Sequence, residues 1–190
     1  MGKFDVIRDK SIVGAPVVHL TAMTAVLFGF WLLLSGTFQT KFLIYGILTA
    51  VISAWVTYPL LLLPSADETK KYFVFGFNPV KLLIYFFWLM WQLVLANVDV
   101  LKATVRPEIE INPRIVKFRY QTDNPMAKVI LANSITLTPG TVTIDVTDDG
   151  VFYVHALTDG AADGLNGGMQ KMVGWLLSEP YDFEMLGEEY

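Results

Sequence analysis

The sequence predicts an α-helical membrane protein in two parts. An N-terminal transmembrane helical hairpin and a third apolar or amphipathic helix come first, then a small cytoplasmic α/β domain. Three observations predict it. The 190 residues are 54% hydrophobic and only 17% charged, against about 25% charged in ordinary soluble chains. The charges are also unevenly placed. Residues 1–106 carry nine Lys/Arg against five Asp/Glu, and residues 107–190 carry five against thirteen. Finally, long uncharged runs give way to short alternating ones beyond Pro107, so the domain boundary is set at residues 106/107.

The first uncharged run, Pro16 to Ser35, has twenty residues, enough at a rise of about 1.5 Å each to cross a hydrocarbon core of roughly 30 Å. A signal peptide would begin similarly, with Lys3, Arg8 and Lys10 ahead of it. The run is too long for one, and "LSGTFQ" offers no small-residue cleavage site. The second run covers residues 42–63. The short connector "GTFQTK" forces the two spans into an antiparallel hairpin, and Gly46, Ala50, Ser53 and Ala54 recur on one side of the second helix, where a neighbour can approach closely.

The third helix is expected over about 79–106, opened by Asn78 as N-cap with Pro79 at the first helical position. Steps of about 100° place Lys81, Tyr85, Trp88, Gln92, Asp99, Lys102 and Arg106 near one line, opposite Leu, Ile, Phe and Val. Such a helix suits the interface plane. If it does not cross, Lys3, Arg8, Lys10, Lys70, Lys71, Lys81, Lys102 and Arg106 share one face against Lys41 alone, the bias that marks a cytoplasmic side. The uncharged stretch Leu82 to Val98 keeps a third crossing open.

In the back half, "RIVKFRY" alternates as a strand, with Val116, Phe118 and Tyr120 on one face. Asn124-Pro125 opens a helix, Pro139-Gly140 breaks the chain, and "TVTIDV" and "VFYVHAL" flank the turn Asp148-Asp149-Gly150. A last helix is expected from about Leu165 to Ser178. The order β-α-β-β-α suits a small sheet covered on one face by two helices. The acidic tail "EPYDFEMLGEEY" reads as a solvated end.

Ion transport requires ionisable groups within the membrane. Between Pro16 and Leu63 the candidate for a proton-related role is His19, read as an interfacial or packing residue. Asp99 is read as an anchor paired with Lys102, and Asn97, on the other side of that helix, as a donor to a partner helix. The absence of cysteine removes thiolate chemistry. Asp145 and His155 face the same hairpin but are too few for a metal site. No catalytic constellation, cofactor motif or metal set emerges, and the acidic back half excludes nucleic acid. The distinctive feature is Asn133-Ser134-Ile135-Thr136-Leu137-Thr138-Pro139-Gly140, a helix end rich in small hydrogen-bonding side chains. Asn133, Thr136, Thr138, Pro139 and Gly140 are candidates either for a fold-specifying corner or for contact with another subunit. Asn133, among apolar neighbours, needs a polar partner if buried.

"LANSITLTPGTVTIDV" with "YVHAL", and "ANVDVLKATVRP" before them, resemble the signature of the E-type subunit of the Mrp-type multisubunit sodium/proton antiporters. The resemblance spans roughly residues 20–158. Departures are the basic N-terminus through Ala15 and the glycine-rich "DGAADGLNGG". Related subunits occur in membrane-bound hydrogenase-type complexes. The resemblance implies a multi-pass subunit of the cell membrane, partnered by other subunits of such a complex, with sodium and proton conduction residing in larger partners. The expected function is that of a non-catalytic accessory subunit supporting assembly and stability. The alternatives are a self-sufficient homo-oligomeric channel or transporter, and a membrane-tethered α/β domain with an enzymatic activity.

Overall fold

In the computed structural model, residues 11–65, 67–105 and 111–189 are described. Expectations that rest on Lys3, Arg8, Lys10, Arg106 and Pro107 lie outside them. The chain forms two compact units, residues 1–76 and 77–190.

The first unit is a helical hairpin. Helix α1 runs Pro16–Ser35 and ends on Gly36 in the left-handed region (φ 60°), whose N–H returns to the carbonyl of Leu32. Helix α2 runs Thr40–Thr57. The apolar run continues to residue 63, but the α-helix tightens to a 3-10 turn at Tyr58–Leu61. Pro59 accounts for the change, because its ring denies the preceding turn a hydrogen bond. Leu62–Pro64 (β1) then pairs antiparallel with Lys71–Phe73 (β2), a small ribbon that the apolar run concealed.

The buried residues of α2 are Gly46, Ala50 and Ala54, the small-residue side expected from sequence. Its reason is steric. A Cβ placed on Gly46 would lie 2.4 Å from the Trp31 ring, so the indole of α1 occupies the space that the missing side chain leaves.

The second unit joins helix α3 (Pro79–Val105) to the α/β domain. Packing thus divides the chain at residue 76, whereas the sequence boundary at 106 concerns solvent. Strands β3 (Arg114–Gln121), β4 (Thr141–Val146), β5 (Val151–Ala156) and β6 (Asp182–Glu189) form an antiparallel sheet in the order β4-β5-β3-β6. Helices α4 (Pro125–Leu137) and α6 (Gly168–Leu177) pack on it, and a short α5 (Asp159–Asp163) follows β5. The expected final helix, about Leu165 to Ser178, is α6, which begins three residues later; α5 precedes it as an additional short turn of helix.

The alternation in β3 holds: Val116, Phe118 and Tyr120 are fully buried. They meet Phe152 and Val154 of β5, Leu131 and Ile135 of α4, and Val173 and Leu176 of α6. Phe118 stacks on Phe152 at 4.9 Å between centroids, and Tyr120 meets the same ring edge-on. Such pairs add about 0.5–1.5 kcal/mol to the area they bury. Asn124 caps α4 as expected, accepting from the Met126 N–H at 3.0 Å.

The C-terminal tail stays largely exposed, as a solvated end would, but it is ordered. It is the edge strand β6, and its acids find basic partners: Glu184 pairs with Arg119 at 3.2 Å, and Glu188 with the buried Arg114 at 2.9 Å. Phe183 packs against the core, and Tyr181 lies over Gly174, where a Cβ would come within 2.5 Å of its ring. The sequence alone showed the charges of this tail. The structure adds the cross-strand arginines that neutralise them.

Replacing Gly46 with leucine is expected to expel Trp31 and separate the hairpin, at an overpacking cost of roughly 1–3 kcal/mol. Thermal unfolding of the purified chain in detergent, followed by tryptophan fluorescence, measures the loss; an unchanged midpoint would contradict this packing.

Candidate interaction site

The Asn133–Gly140 stretch is a helix-to-strand corner, and threonines build it. At the end of α4 the last carbonyls lack helical partners. The Thr138 hydroxyl donates to the carbonyl of Ser134 at 2.8 Å. The Thr141 hydroxyl donates to that of Ile135 at 2.6 Å, with Thr138 O at 3.0 Å. One strand step further, the Thr143 hydroxyl donates to Ala132 O at 3.1 Å, while the Thr143 N–H donates to the Thr136 hydroxyl at 3.1 Å. Strand β4 therefore turns its threonine side to α4 and leaves Val142 and Ile144 exposed.

Pro139 and Gly140 reverse the chain. Gly140 holds φ +89°, and its carbonyl accepts from the Leu157 N–H at 2.8 Å. A Cβ there would meet Val100 of α3 at 3.3 Å and Ala161 of α5 at 3.4 Å. Positive φ and close approach together favour glycine.

For Asn133 the condition set by the sequence, a polar partner if buried, does not arise. It is exposed, and its amide donates to Val129 O at 2.8 Å within its own helix. The buried polar residue is its neighbour Ser134, 4% exposed, whose hydroxyl meets that of Tyr85 at 2.6 Å. A rotation of about 100° per residue separates the two, and helix α3, unknown to local sequence reasoning, selects Ser134. The signal available beforehand was Tyr85 on the polar stripe of α3.

That stripe also changes meaning. Lys81 reaches the end of α6, donating to Trp175 O at 2.9 Å and to the Ser178 hydroxyl at 2.6 Å, with its ammonium 5.1 Å from the Trp175 ring. A cation on the last carbonyls of a helix is favourable. Tyr85 and Leu89 are buried, and Trp88 packs on the same core. Part of the polar stripe is thus satisfied by the chain's own α/β domain rather than by water. Asp99 and Lys102 remain on the exposed flank and form the expected pair at 3.5 Å. Asn97 is exposed and donates to Leu93 O at 2.7 Å within α3, so its amide is committed to its own helix.

Between α3, the corner and α5 lies a cleft of about 200 Å³, lined by Gln92, Asp99, Thr138, Pro139, Thr141 and Thr158 among apolar neighbours. Asp145 and His155 do not face each other: the register opposes Asp145 to Tyr153 and His155 to Val142. Asp149 is held below the usual carboxylate range by the Thr147 hydroxyl across the β4–β5 turn. In the first unit, His19 stacks on Phe73 at 4.6 Å and 14°, with Nδ1 3.4 Å from the Tyr58 hydroxyl. It is built into an aromatic cluster.

Comparison with known proteins agrees with the sequence resemblance. Residues 24–173 match the family model described as "Na+/H+ ion antiporter subunit". The E1 subunit of the Na(+)/H(+) antiporter of Staphylococcus aureus (strain bovine RF122 / ET3-1) is 30% identical over 129 residues, 67% of this chain and 76% of that one. The E1 subunit of the Staphylococcus saprophyticus antiporter is 30% identical over 131 residues, 67% of this chain and 75% of its own. Among solved structures, a chain of the membrane-bound sulfane sulfur reductase, an archaeal respiratory membrane complex, superposes with a TM-score of 0.60 at 29% identity, covering 82% of this chain and 96% of that one.

Changing Ser134 to alanine leaves the buried Tyr85 hydroxyl unpaired and is expected to cost about 1–3 kcal/mol. Asn133→Ala is expected to change stability by less than about 0.5 kcal/mol. Denaturation of both variants, with a Tyr85→Phe/Ser134→Ala double mutant that recovers part of the loss, checks the pairing.

Proposed function

Because this chain belongs to the Na+/H+ ion antiporter subunit family, we propose that it is a non-catalytic accessory subunit of a multisubunit cation/proton antiporter or an antiporter-containing respiratory-type membrane complex. Its partners are the other subunits of such a complex. Its task is assembly and stability, with transport affected only through them.

One observation carries this reading. Among the described residues of α1, α2 and α3, the ionisable side chains other than tyrosine are His19, Lys41, Lys81, Asp99 and Lys102. His19 is stacked in an aromatic cluster, Lys81 caps α6, and Asp99 pairs with Lys102 on an exposed flank. A proton or sodium path needs a succession of buried groups that bind and release the ion, and these residues form no such succession.

The hairpin supplies membrane attachment, with three helices among the described residues long and apolar enough to cross. The α/β domain, rich in acids, lies on the cytoplasmic side in this reading, which the excess of Lys and Arg flanking the apolar helices supports. The threonine corner then keeps that domain rigid against α3, so that partners meet one fixed shape.

Gly140→Val is expected to lower the complex recovered on a native gel several-fold, whereas Asn133→Ala leaves it near normal. Transport per assembled complex stays within about twofold in both, and the chain alone in proteoliposomes carries no cation flux. Flux without partners, or Gly140→Val complexes that assemble normally but do not transport, would overturn the accessory role.

A further inference from the structure

The outward face of α3 is an apolar face that the second unit leaves uncovered. Phe87, Trp91 and Val105 are 64%, 61% and 73% exposed, and Val80, Val94 and Val98 continue the same line. The opposite face is engaged along the helix: Lys81 on the end of α6, Tyr85 on Ser134, Leu89 in the core, and Val100 on Gly140. From Lys81 to Val100 those contacts extend about 28 Å at the α-helical rise, close to the whole hydrocarbon thickness.

That length decides the orientation. A helix held on one side by a polar domain at Lys81, Tyr85, Leu89 and Val100 cannot run through hydrocarbon unless the domain enters with it. The domain brings Lys128, Asp148, Asp163 and Lys171, each costly in lipid. From this we infer that α3 lies in the plane of the bilayer surface, its Phe87–Trp91 face in the lipid and its Tyr85–Leu89 face beneath the α/β domain. The occupant of the exposed face is lipid, because the chain enters α3 only three residues after the membrane hairpin unit ends at Gly76. The outward line Val80, Phe87, Trp91, Val94, Val98 and Val105 also carries no acid. Lys102, exposed at its edge beside Asp99, reaches toward headgroups on its aliphatic stem.

The chain has no cysteine, so single cysteines at positions 80, 87, 91, 98 and 105 can each carry a nitroxide. All lie on the uncovered face, and circular dichroism of each variant checks that the helix persists. The labelled full chain is reconstituted in phosphatidylcholine/phosphatidylglycerol vesicles and, separately, assembled into its complex. Oxygen and a water-soluble nickel chelate then read depth. The expected result is the same shallow depth at all five positions, within about 5–10 Å of the headgroup boundary, with no trend along the helix. A depth maximum near position 91, with water access at both ends, would mean a crossing helix. Exclusion of both reagents in the complex would mean a protein partner, and full water access an exposed helix. Each of these overturns the inference.

Discussion

The hydroxyl of Tyr85 meeting that of Ser134, both buried in the interior, ties together the two halves of the second unit. Neither hydroxyl can turn to water, so each is an obligation the other discharges, and leaving either alone is costly. Apolar packing of Leu89 against the domain would hold α3 there in many registers. A buried hydrogen bond accepts one. Lys81 at one end and Val100 against Gly140 at the other then fall into place along the same helix.

The threonine corner answers a related problem. Helix α4 ends where strand β4 must begin, and the last carbonyls of the helix point toward that strand. Thr138 and Thr141 satisfy those of Ser134 and Ile135 with side-chain hydroxyls, Thr143 adds a bond to Ala132 O, and Thr141 and Thr143 remain good strand residues. This explains why so polar a segment is so ordered. It also reverses the ordinary rule for a strand. The hydroxyl side faces inward because the helix end offers acceptors there, and Val142 and Ile144 are left outward.

Membrane and water chemistry meet on α3. Its sequence is amphipathic, and the simplest account of an amphipathic helix is that its polar side sees water. Here much of that side sees protein. The polar residues serve as cap and buried hydrogen bond, so amphipathicity records contact with a polar domain as well as with solvent. The first unit uses a different device, in which Gly46, Ala50 and Ala54 let α1 approach and Trp31 fills the glycine's space.

From the sequence by itself one could read the three apolar helices, the alternation of β3, the Asn124 cap and the corner at Pro139-Gly140. Each is set by neighbours a few residues away, through periodicity, capping or turn chemistry. The tertiary structure decided which polar residue of the corner is buried, Ser134 rather than Asn133, because that choice belongs to a helix about fifty residues upstream. It also made a strand of the acidic tail, since Arg114 and Arg119 neutralise Glu188 and Glu184 only once β3 lies beside them. It set Asp145 and His155 apart by strand register. Local geometry is written in local sequence; the identity of a partner across the fold is settled only when distant segments have found each other.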